Sequence, residues 1–263
     1  MSEAVVLLEK REGVATMTMN RPERMNALSS ELMFNIGRVL EELSQDAETR
    51  VLIITGAGKA FCGGLDLKEL GAADAFFDQA GQGRASEFMF RRLDAFQHPV
   101  IGAINGAAVA GGFELALFCD ILIASEEARF ADTHARVGYI PGGGLSQILP
   151  RLIGPGRAKE LSFTGNYLSA VQAEAWGLVN RVVAPEELLP VCRRLAADIV
   201  SCDAELIKKY KRLINDGFRE TLAAGLVLEQ KVFQEHAQQV TAESVAARRQ
   251  SVLDRGRGQK DRK

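Results

Sequence analysis

The stretch HPVIGAINGAAVAGGFELAL, residues 98–117, decides the fold. Its apolar run Val100–Ile104 predicts a buried strand, and the glycines after it predict a turn into a helix that starts near Gly111 or Gly112. The first N–H groups of a helix have no partner within it, and the helix dipole favours an anion there. Glu114 follows Gly111 by three residues and lies on the same helical face. The stretch therefore predicts an anion-binding turn beside a carboxylate that can move a proton.

A second glycine turn follows another apolar run earlier in the chain. Residues 51–55 predict a strand covered on both faces, and the sequence CGGLD at residues 62–66 allows a sharp turn and a close approach of backbone to ligand. Two such turns can aim two N–H donors at one carbonyl oxygen, which stabilises an enolate or a tetrahedral oxyanion. The alternative is that the glycines only allow a helix to pack closely on a strand. The spacing G-x-G-x-x-G is absent from residues 106–112, which disfavours a dinucleotide site.

Length, composition and charge bound the class of protein. The chain has 263 residues, is 47% hydrophobic and carries a net charge of −2, so we expect one large domain or a domain with an appendage, with neither nucleic acid nor a membrane as partner. No signal peptide and no membrane-crossing run are evident, which predicts a cytoplasmic protein. The cysteines have no metal-site or redox spacing, and we expect them to be free thiols with no metal bound. They are Cys62, Cys119, Cys192 and Cys202.

The order of predicted elements divides the chain into two parts. Residues 1–185 alternate strands and helices and form the core with the active site, whereas residues 186–263 are almost entirely helical and serve packing and oligomerisation. Ser29 or Ser30 caps a helix that runs to about Leu43. Residues 71–84 are rich in Gly, Ala, Asp and Gln and weakly patterned, which predicts a mobile loop or a frayed helix that could act as a lid. The remaining predictions are strands over residues 5–8, 14–19, 121–124, 130–132 and 180–183, and helices over residues 86–96, 157–163, 170–176, 188–201, 204–215, 222–236 and 242–253.

These motifs together resemble the enoyl-CoA hydratase/isomerase (crotonase) family. They are in the order that the family has them, and they cover roughly residues 14–183. The matching motifs are NRP (20–22), NAL (26–28), AFCGGLDL (60–67), PVIGAING (99–106), AGGFELA (110–116), CD (119–120), IPGGG (140–144) and AWGLV (175–179).

The resemblance implies a fold, a substrate class and an assembly. The fold is an α/β crotonase-like spiral of repeated ββα units with a C-terminal helical trimerisation region, in a homotrimer or a dimer of trimers. The substrate is an acyl-CoA thioester of fatty acid metabolism, with no cofactor besides the CoA that it carries. By motif position, the backbone N–H groups of Leu65 and Gly111 form the oxyanion hole.

The resemblance also implies which residues contact CoA or the acyl group. The loop over residues 25–28 lines the pantetheine and nucleotide part, Cys62 and Gly64 lie near the adenine, and Lys68 meets a CoA phosphate unless it is only a surface lysine. Tyr139 borders the acyl pocket, where wall packing is an equally good interpretation. The implied contact residues are Met25, Ala27, Leu28, Cys62, Gly64, Asp66, Lys68 and Tyr139.

The catalytic residues depart from the family pattern at one position. Glu114 matches the first catalytic glutamate of the hydratases, but the second falls on His134. Histidine can titrate near neutrality and could take that role, or it only fills the wall and bonds to Asp132 or Arg136. The first interpretation is a hydratase-like enzyme that adds water to a 2-enoyl-CoA. The alternatives are an enoyl-CoA isomerase that uses Glu114 alone and a non-catalytic acyl-CoA-binding protein.

Overall fold

The computed structural model describes residues 4–72 and 82–260, which form an α/β protein. The strands are β1 (Val6–Arg11), β2 (Val14–Met19), β3 (Val51–Gly56), β4 (Ala60–Cys62), β5 (Val100–Ile104), β6 (Ala107–Val109), β7 (Ile121–Ser125), β8 (Arg129–Ala131), β9 (Leu168–Ser169) and β10 (Arg181–Val183). The helices are α1 (Ser30–Gln45), α2 (Leu67–Ala72), α3 (Gln82–Ala95), α4 (Gly111–Leu117), α5 (His134–Val137), α6 (Leu145–Ile153), α7 (Pro155–Thr164), α8 (Ala170–Ala175), α9 (Leu188–Val200), α10 (Ala204–Phe218), α11 (Leu222–Ala237) and α12 (Ala242–Lys260).

The strands form two sheets. The larger sheet has the order β1-β2-β3-β5-β7-β10, in which β1 is antiparallel to β2 and all other neighbours are parallel. The smaller sheet has the order β4-β6-β8-β9, in which β4, β6 and β8 are parallel and β9 is antiparallel.

Successive parts of the chain repeat one ββα pattern. In each repeat the first strand joins the larger sheet, the second joins the smaller sheet, and a helix follows. The repeats are β3-β4-α2, β5-β6-α4 and β7-β8-α5. This arrangement confirms the predicted spiral of ββα units.

The larger sheet is covered on both faces. Leu52 and Ile54 of β3 belong to the main hydrophobic core, while Val51 and Ile53 pack in a second cluster with side chains of α9. Every residue of β3 is buried. Residues 51–55 are therefore a strand buried on both faces, as their continuous apolar run predicts.

The chain divides into two compact units, Met1–Lys208 and Lys209–Lys263. Within the first unit, α9 packs on the larger sheet through Leu188, Cys192 and Ala196. Helices α11 and α12 lie in the second unit, together with the end of α10.

The structure differs from the sequence prediction mainly in its shortest elements. Strands β4 and β6 have three residues each and lie within stretches that we interpreted as glycine turns, so of the smaller sheet only β8 was predicted. Strand β1 also extends to Arg11, because Arg11 pairs with Val14 and leaves only a two-residue turn. Ser29 caps α1 as predicted, accepting a hydrogen bond from the Leu32 N–H at 3.2 Å. Most of the predicted lid, residues 73–81, lies outside the described residues.

Hydrogen bonds of the Asn26 side chain connect the loop after β2 with the start of β4. That side chain is fully buried, and its amide donates to the carbonyls of Ala57 at 2.9 Å and Ala60 at 2.8 Å. Its Oδ1 accepts a hydrogen bond from the Arg21 N–H at 2.9 Å. One side chain thus satisfies backbone groups from two segments that have no regular pairing with each other.

We expect Asn26→Ala to lower the free energy of unfolding by about 2–4 kcal/mol, because each buried polar group left without a partner costs about 1–3 kcal/mol. Urea denaturation measures the difference. Asn35→Ala is the matched control, since this half-buried amide bonds to the Glu31 carbonyl within its own helix α1 and surface changes stay within about 0.5 kcal/mol. Equal losses in the two variants would contradict the role of Asn26.

Candidate active site

The carboxyl ends of three short parallel strands meet at one edge of the smaller sheet. Strands β4, β6 and β8 are neighbours in parallel register, so the turns that follow them start side by side. Leu65 follows β4, Gly111 follows β6 and His134 follows β8. Ligands of α/β proteins commonly bind beyond the carboxyl ends of parallel strands, and this edge brings together the residues singled out by the sequence.

The two predicted oxyanion donors adjoin each other. A methyl group built on Gly111 would lie 3.8 Å from the Leu65 nitrogen. Leu28 pairs in parallel with Leu65, donating to the Gly64 carbonyl at 2.7 Å and accepting from the Asp66 N–H at 3.1 Å. This pairing leaves the Leu65 N–H pointing away from Leu28. Neither the Leu65 nor the Gly111 N–H donates a hydrogen bond to any residue in 4–72 or 82–260.

An unusual backbone conformation precedes the second donor. Ala110 has φ 46° and ψ −115°, a region in which a residue other than glycine costs about 1–3 kcal/mol. Its N–H donates to the Ala131 carbonyl at 2.9 Å, which ties the turn to β8. The turn after β4 lies close to the end of β6, since a methyl group on Gly64 would lie 2.9 Å from the Val109 carbonyl oxygen. These contacts hold the two turns together at a fixed spacing.

The Glu114 carboxylate is buried at this edge. Its Oε1 accepts hydrogen bonds from the N–H groups of Gly143 at 2.7 Å and Leu145 at 3.4 Å. Its Oε2 lies 3.8 Å from Nε2 of His134. Burial raises the pKa of Glu114 above the usual 4.5, although His134 and the two N–H groups act in the opposite direction. Oε1 is therefore fixed by the backbone, and Oε2 is the oxygen that faces another titratable group.

His134 lies between two carboxylates. Its Nδ1 bonds to Oδ1 of Asp132 at 2.6 Å, and its ring stacks on that of Tyr139 with centroids 6.2 Å apart. Burial would raise the pKa of Asp132, but hydrogen bonds from His134 and Ser162 outweigh it and hold the pKa below its usual value. The hydrogen bond from His134 to Asp132 is thus present, and the Arg136 guanidinium bonds to Asn166.

A cavity of about 60 Å³ opens between these turns. It is lined by Gly63, Gly64, Leu65, Leu67, Ala110, Thr133, His134, Val137 and Tyr139. Burial and the nearby Glu114 charge raise the pKa of Tyr139 above its usual value, so its phenol stays protonated near neutral pH. The cavity brings together residues from all three turns.

The predicted CoA-contact residues differ in exposure. Met25 is 44% exposed and Lys68 is exposed, whereas Leu28 and Cys62 are fully buried. Ala27 is half-buried and Gly64 is buried. Burial raises the pKa of the Cys62 thiol to about 12, so this thiol is chemically inert.

Asp66 is engaged by a residue for which the sequence suggested no role. Arg21 donates to Oδ2 of Asp66 at 3.0 Å and to the Ala27 carbonyl at 2.6 Å. The arginine therefore ties the loop of residues 25–28 to the turn that carries Leu65. The NRP motif contains Arg21, but the motif alone gives no sign of this contact, because the partner is 45 residues away.

One further contact of the site was not indicated by the sequence. Gly143 meets Glu114 across 29 residues, and no local pattern indicates such a contact. Asp132, which precedes His134 by two residues, was named from the sequence as a partner of His134, and the structure has that contact.

Neither a membrane-spanning helix nor a metal-binding group of side chains is found among the described residues. None of the helices within residues 4–72 and 82–260 combines the length and hydropathy needed to cross a membrane. The same ranges hold no group of three or more His, Cys, Asp or Glu side chains arranged to bind a metal ion.

Comparison with known proteins gives consistent matches. The sequence model of the family described as enoyl-CoA hydratase/isomerase matches residues 9–252. The short-chain-enoyl-CoA hydratase of Clostridium acetobutylicum is 40% identical over 231 residues, covering 88% of both chains. The crotonyl-CoA hydratase of Syntrophomonas wolfei is 37% identical over 235 residues, covering 87% of this chain and 88% of that protein. The crystal structure of enoyl-CoA hydratase from Bacillus anthracis has a TM-score of 0.88 at 34% identity, covering 95% of this chain and 96% of that chain.

The Arg21–Asp66 pair makes stability depend on pH. Burial would raise the pKa of Asp66, but the bonds from Arg21 and the Lys68 N–H hold it below 3.8. A lowered pKa stabilises the fold above the unfolded value of about 3.9, and that stabilisation is lost as the pH falls through the folded value. We expect Asp66→Asn to cost about 1.5–3 kcal/mol at pH 7 and progressively less below pH 4.

Denaturant unfolding at several pH values measures this effect. Asp216→Asn is the control, because its ion pair with Arg212 at 3.4 Å is exposed and such pairs contribute about 0–1 kcal/mol. A loss for Asp66→Asn that is the same at pH 7 and in acid would contradict the charge-based account.

Proposed function

The chain belongs to the enoyl-CoA hydratase/isomerase family, and on that basis we propose that it adds water to a short-chain 2-enoyl-CoA thioester. The observation that carries the proposal is the 3.8 Å separation between Glu114 Oε2 and His134 Nε2. Hydration needs one group to activate water and another to deliver a proton. His134 fills the position of the second family glutamate and can deliver a proton. The backbone N–H groups of Leu65 and Gly111, which suit an oxyanion, lie beside it.

The proposed reaction begins with the thioester oxygen between the N–H groups of Leu65 and Gly111. A water molecule within about 2.8 Å of both Glu114 Oε2 and His134 Nε2 attacks Cβ and gives its proton to Glu114. The electron pair of the double bond moves to the thioester oxygen and forms an enolate. Each N–H donor to such an oxyanion stabilises the transition state by about 2.7–4 kcal/mol.

Proton delivery to Cα completes the addition. The protonated His134 ring gives its Nε2 proton to Cα, and the enolate becomes a 3-hydroxyacyl-CoA. The proton taken up by Glu114 then returns to His134, so the site is restored without a further reactant. The reaction in this form uses no cofactor apart from the CoA of the substrate.

The size of the cavity supports a short acyl chain. Its volume of about 60 Å³ is several times the roughly 10–15 Å³ that one water molecule needs by the same measure. Relatives named for short-chain and crotonyl substrates agree with this size.

CoA binds along the exposed side of the turn after β4 in this proposal. Met25 adjoins that turn, since a methyl group on Gly63 would lie 3.2 Å from the Met25 Cβ. Leu67 lines the cavity, and the exposed Lys68 that follows it meets a CoA phosphate. Ala27, Leu28, Gly64 and Asp66 shape the turn, and Cys62 contributes only through its backbone because its side chain is buried.

We also propose a homotrimer or a dimer of trimers that acts in fatty acid metabolism in the cytoplasm. The unit Lys209–Lys263 supports oligomerisation, because it exposes several large apolar side chains and such patches mark interaction surfaces. They include Tyr210, Ile214, Phe218, Leu222, Leu226 and Phe233.

The test of the function compares 2-enoyl-CoA and 3-enoyl-CoA substrates. We expect crotonyl-CoA to be hydrated to 3-hydroxybutyryl-CoA, and Glu114→Gln to lower kcat by about 10²–10⁴-fold, the usual contribution of a positioned acid–base group. Glu160→Gln, an exposed glutamate on α7, is the control. Migration of the double bond in a 3-enoyl-CoA without hydration of crotonyl-CoA would favour the isomerase. Binding of CoA thioesters without either reaction would favour the non-catalytic alternative.

We expect Gly143→Ala to disturb Glu114 directly. The added methyl group would lie 2.9 Å from Glu114 Oε2 and 2.6 Å from Cζ of Phe90. Moving the carboxylate weakens the Gly143 N–H bond, which normally lowers the Glu114 pKa. The ionised carboxylate is the active form of Glu114. We therefore expect the acid limb of the pH profile of kcat/KM to move to higher pH in Gly143→Ala, and kcat to fall.

Gly142→Ala is the matched control, since nothing lies within 4 Å of a methyl group there. Profiles of kcat/KM against pH measure both variants. An acid limb that shifts equally in the two variants, or in neither, would refute the contact between Gly143 and Glu114 as the cause.

A further inference from the structure

The Asp132 carboxylate has a more specific arrangement than wall packing requires. Asp132 is only 2% exposed, and its Oδ1 accepts hydrogen bonds from both Nδ1 and the N–H of His134, at 2.6 and 3.2 Å. The Ser162 hydroxyl of α7 donates to the same carboxylate. Donors from α5 and α7 therefore fix the orientation of one buried carboxylate.

We propose that Asp132 is a positioning residue that holds a proton on Nδ1 of His134 and so makes Nε2 the nitrogen that exchanges protons with the substrate. An ionised carboxylate carries no proton, so the hydrogen in the 2.6 Å contact belongs to Nδ1. When the ring is neutral, Nε2 is then left as the acceptor. Nε2 is also the nitrogen that faces Glu114 Oε2. This inference rests on the proposed role of His134 in hydration.

The groups around the ring hold both of its nitrogens. Asp132 lies on the Nδ1 side and the Glu114 carboxylate of α4 on the Nε2 side. The phenol of Tyr139 stacks on the ring, and the Ser162 hydroxyl of α7 bonds to Asp132. Asp132 thus sets the nitrogen that reacts.

The resonances of the three histidines allow a direct test, with His134 assigned by loss of its signals in His134→Gln. In ¹⁵N-histidine-labelled wild-type protein above the ring pKa, we expect the proton of neutral His134 on Nδ1. A neutral His134 with its proton on Nε2 would overturn the proposal, and this measurement needs no variant of Asp132.

Asp132→Asn removes the charge while its amide oxygen can still accept from Nδ1. We expect the neutral ring of His134 to hold its proton on Nδ1 in a smaller fraction of molecules in this variant, because the uncharged amide can also present an N–H donor to Nδ1. We expect kcat to fall about 10²-fold, the lower end for a positioned acid–base group, with KM little changed. An unchanged tautomer and rate would overturn the proposal, as would a rise in KM alone.

Asp46→Asn is the matched control, because Asp46 also accepts from a backbone N–H and a hydroxyl, those of Glu48 and Thr49, on the surface. We expect it to leave the His134 tautomer and kcat unchanged. The tautomer is measured on the free protein. If wild-type protein hydrates no enoyl-CoA, the proposed function fails, whereas the tautomer still reports whether Asp132 controls His134.

Discussion

The parallel pairing of β4, β6 and β8 is the constraint on which the active site depends. Each strand is three residues long, too short to be stable by itself, and each is held by its neighbours in the smaller sheet. Because parallel strands end at the same edge, the three turns that follow cannot diverge. The turns that carry the N–H groups of Leu65 and Gly111 and the ring of His134 are thereby placed around one cavity. A shift of one strand would separate the donors from the acid–base groups.

The site keeps three titratable groups out of water, and each depends on the others. Glu114 stays ionisable because two backbone N–H groups bond one of its oxygens. Asp132 stays ionised because His134 and Ser162 bond to it. The His134 ring lies between these two carboxylates. Removing one member leaves the charge on another uncompensated, and a buried charge of that kind is costly.

Much of the fold and of the site could be predicted from the sequence. The buried strand over residues 51–55, the cap at Ser29 and the glycine turns at Leu65 and Gly111 have local patterns that indicate them. Of the smaller sheet only β8 was predicted, because the three-residue strands β4 and β6 adjoin glycine-rich turns and show no alternation of polar and apolar residues. Arg21 and Gly143 act on partners 45 and 29 residues away, so their roles depend on tertiary contacts that local patterns do not encode.

The most direct test of the account is a crystal structure of the protein with 3-hydroxybutyryl-CoA bound. The account predicts the thioester oxygen within hydrogen-bond distance of the N–H groups of both Leu65 and Gly111. It also predicts the 3-hydroxyl group between Glu114 Oε2 and His134 Nε2. A thioester oxygen away from these donors, or a hydroxyl group out of reach of His134, would contradict it.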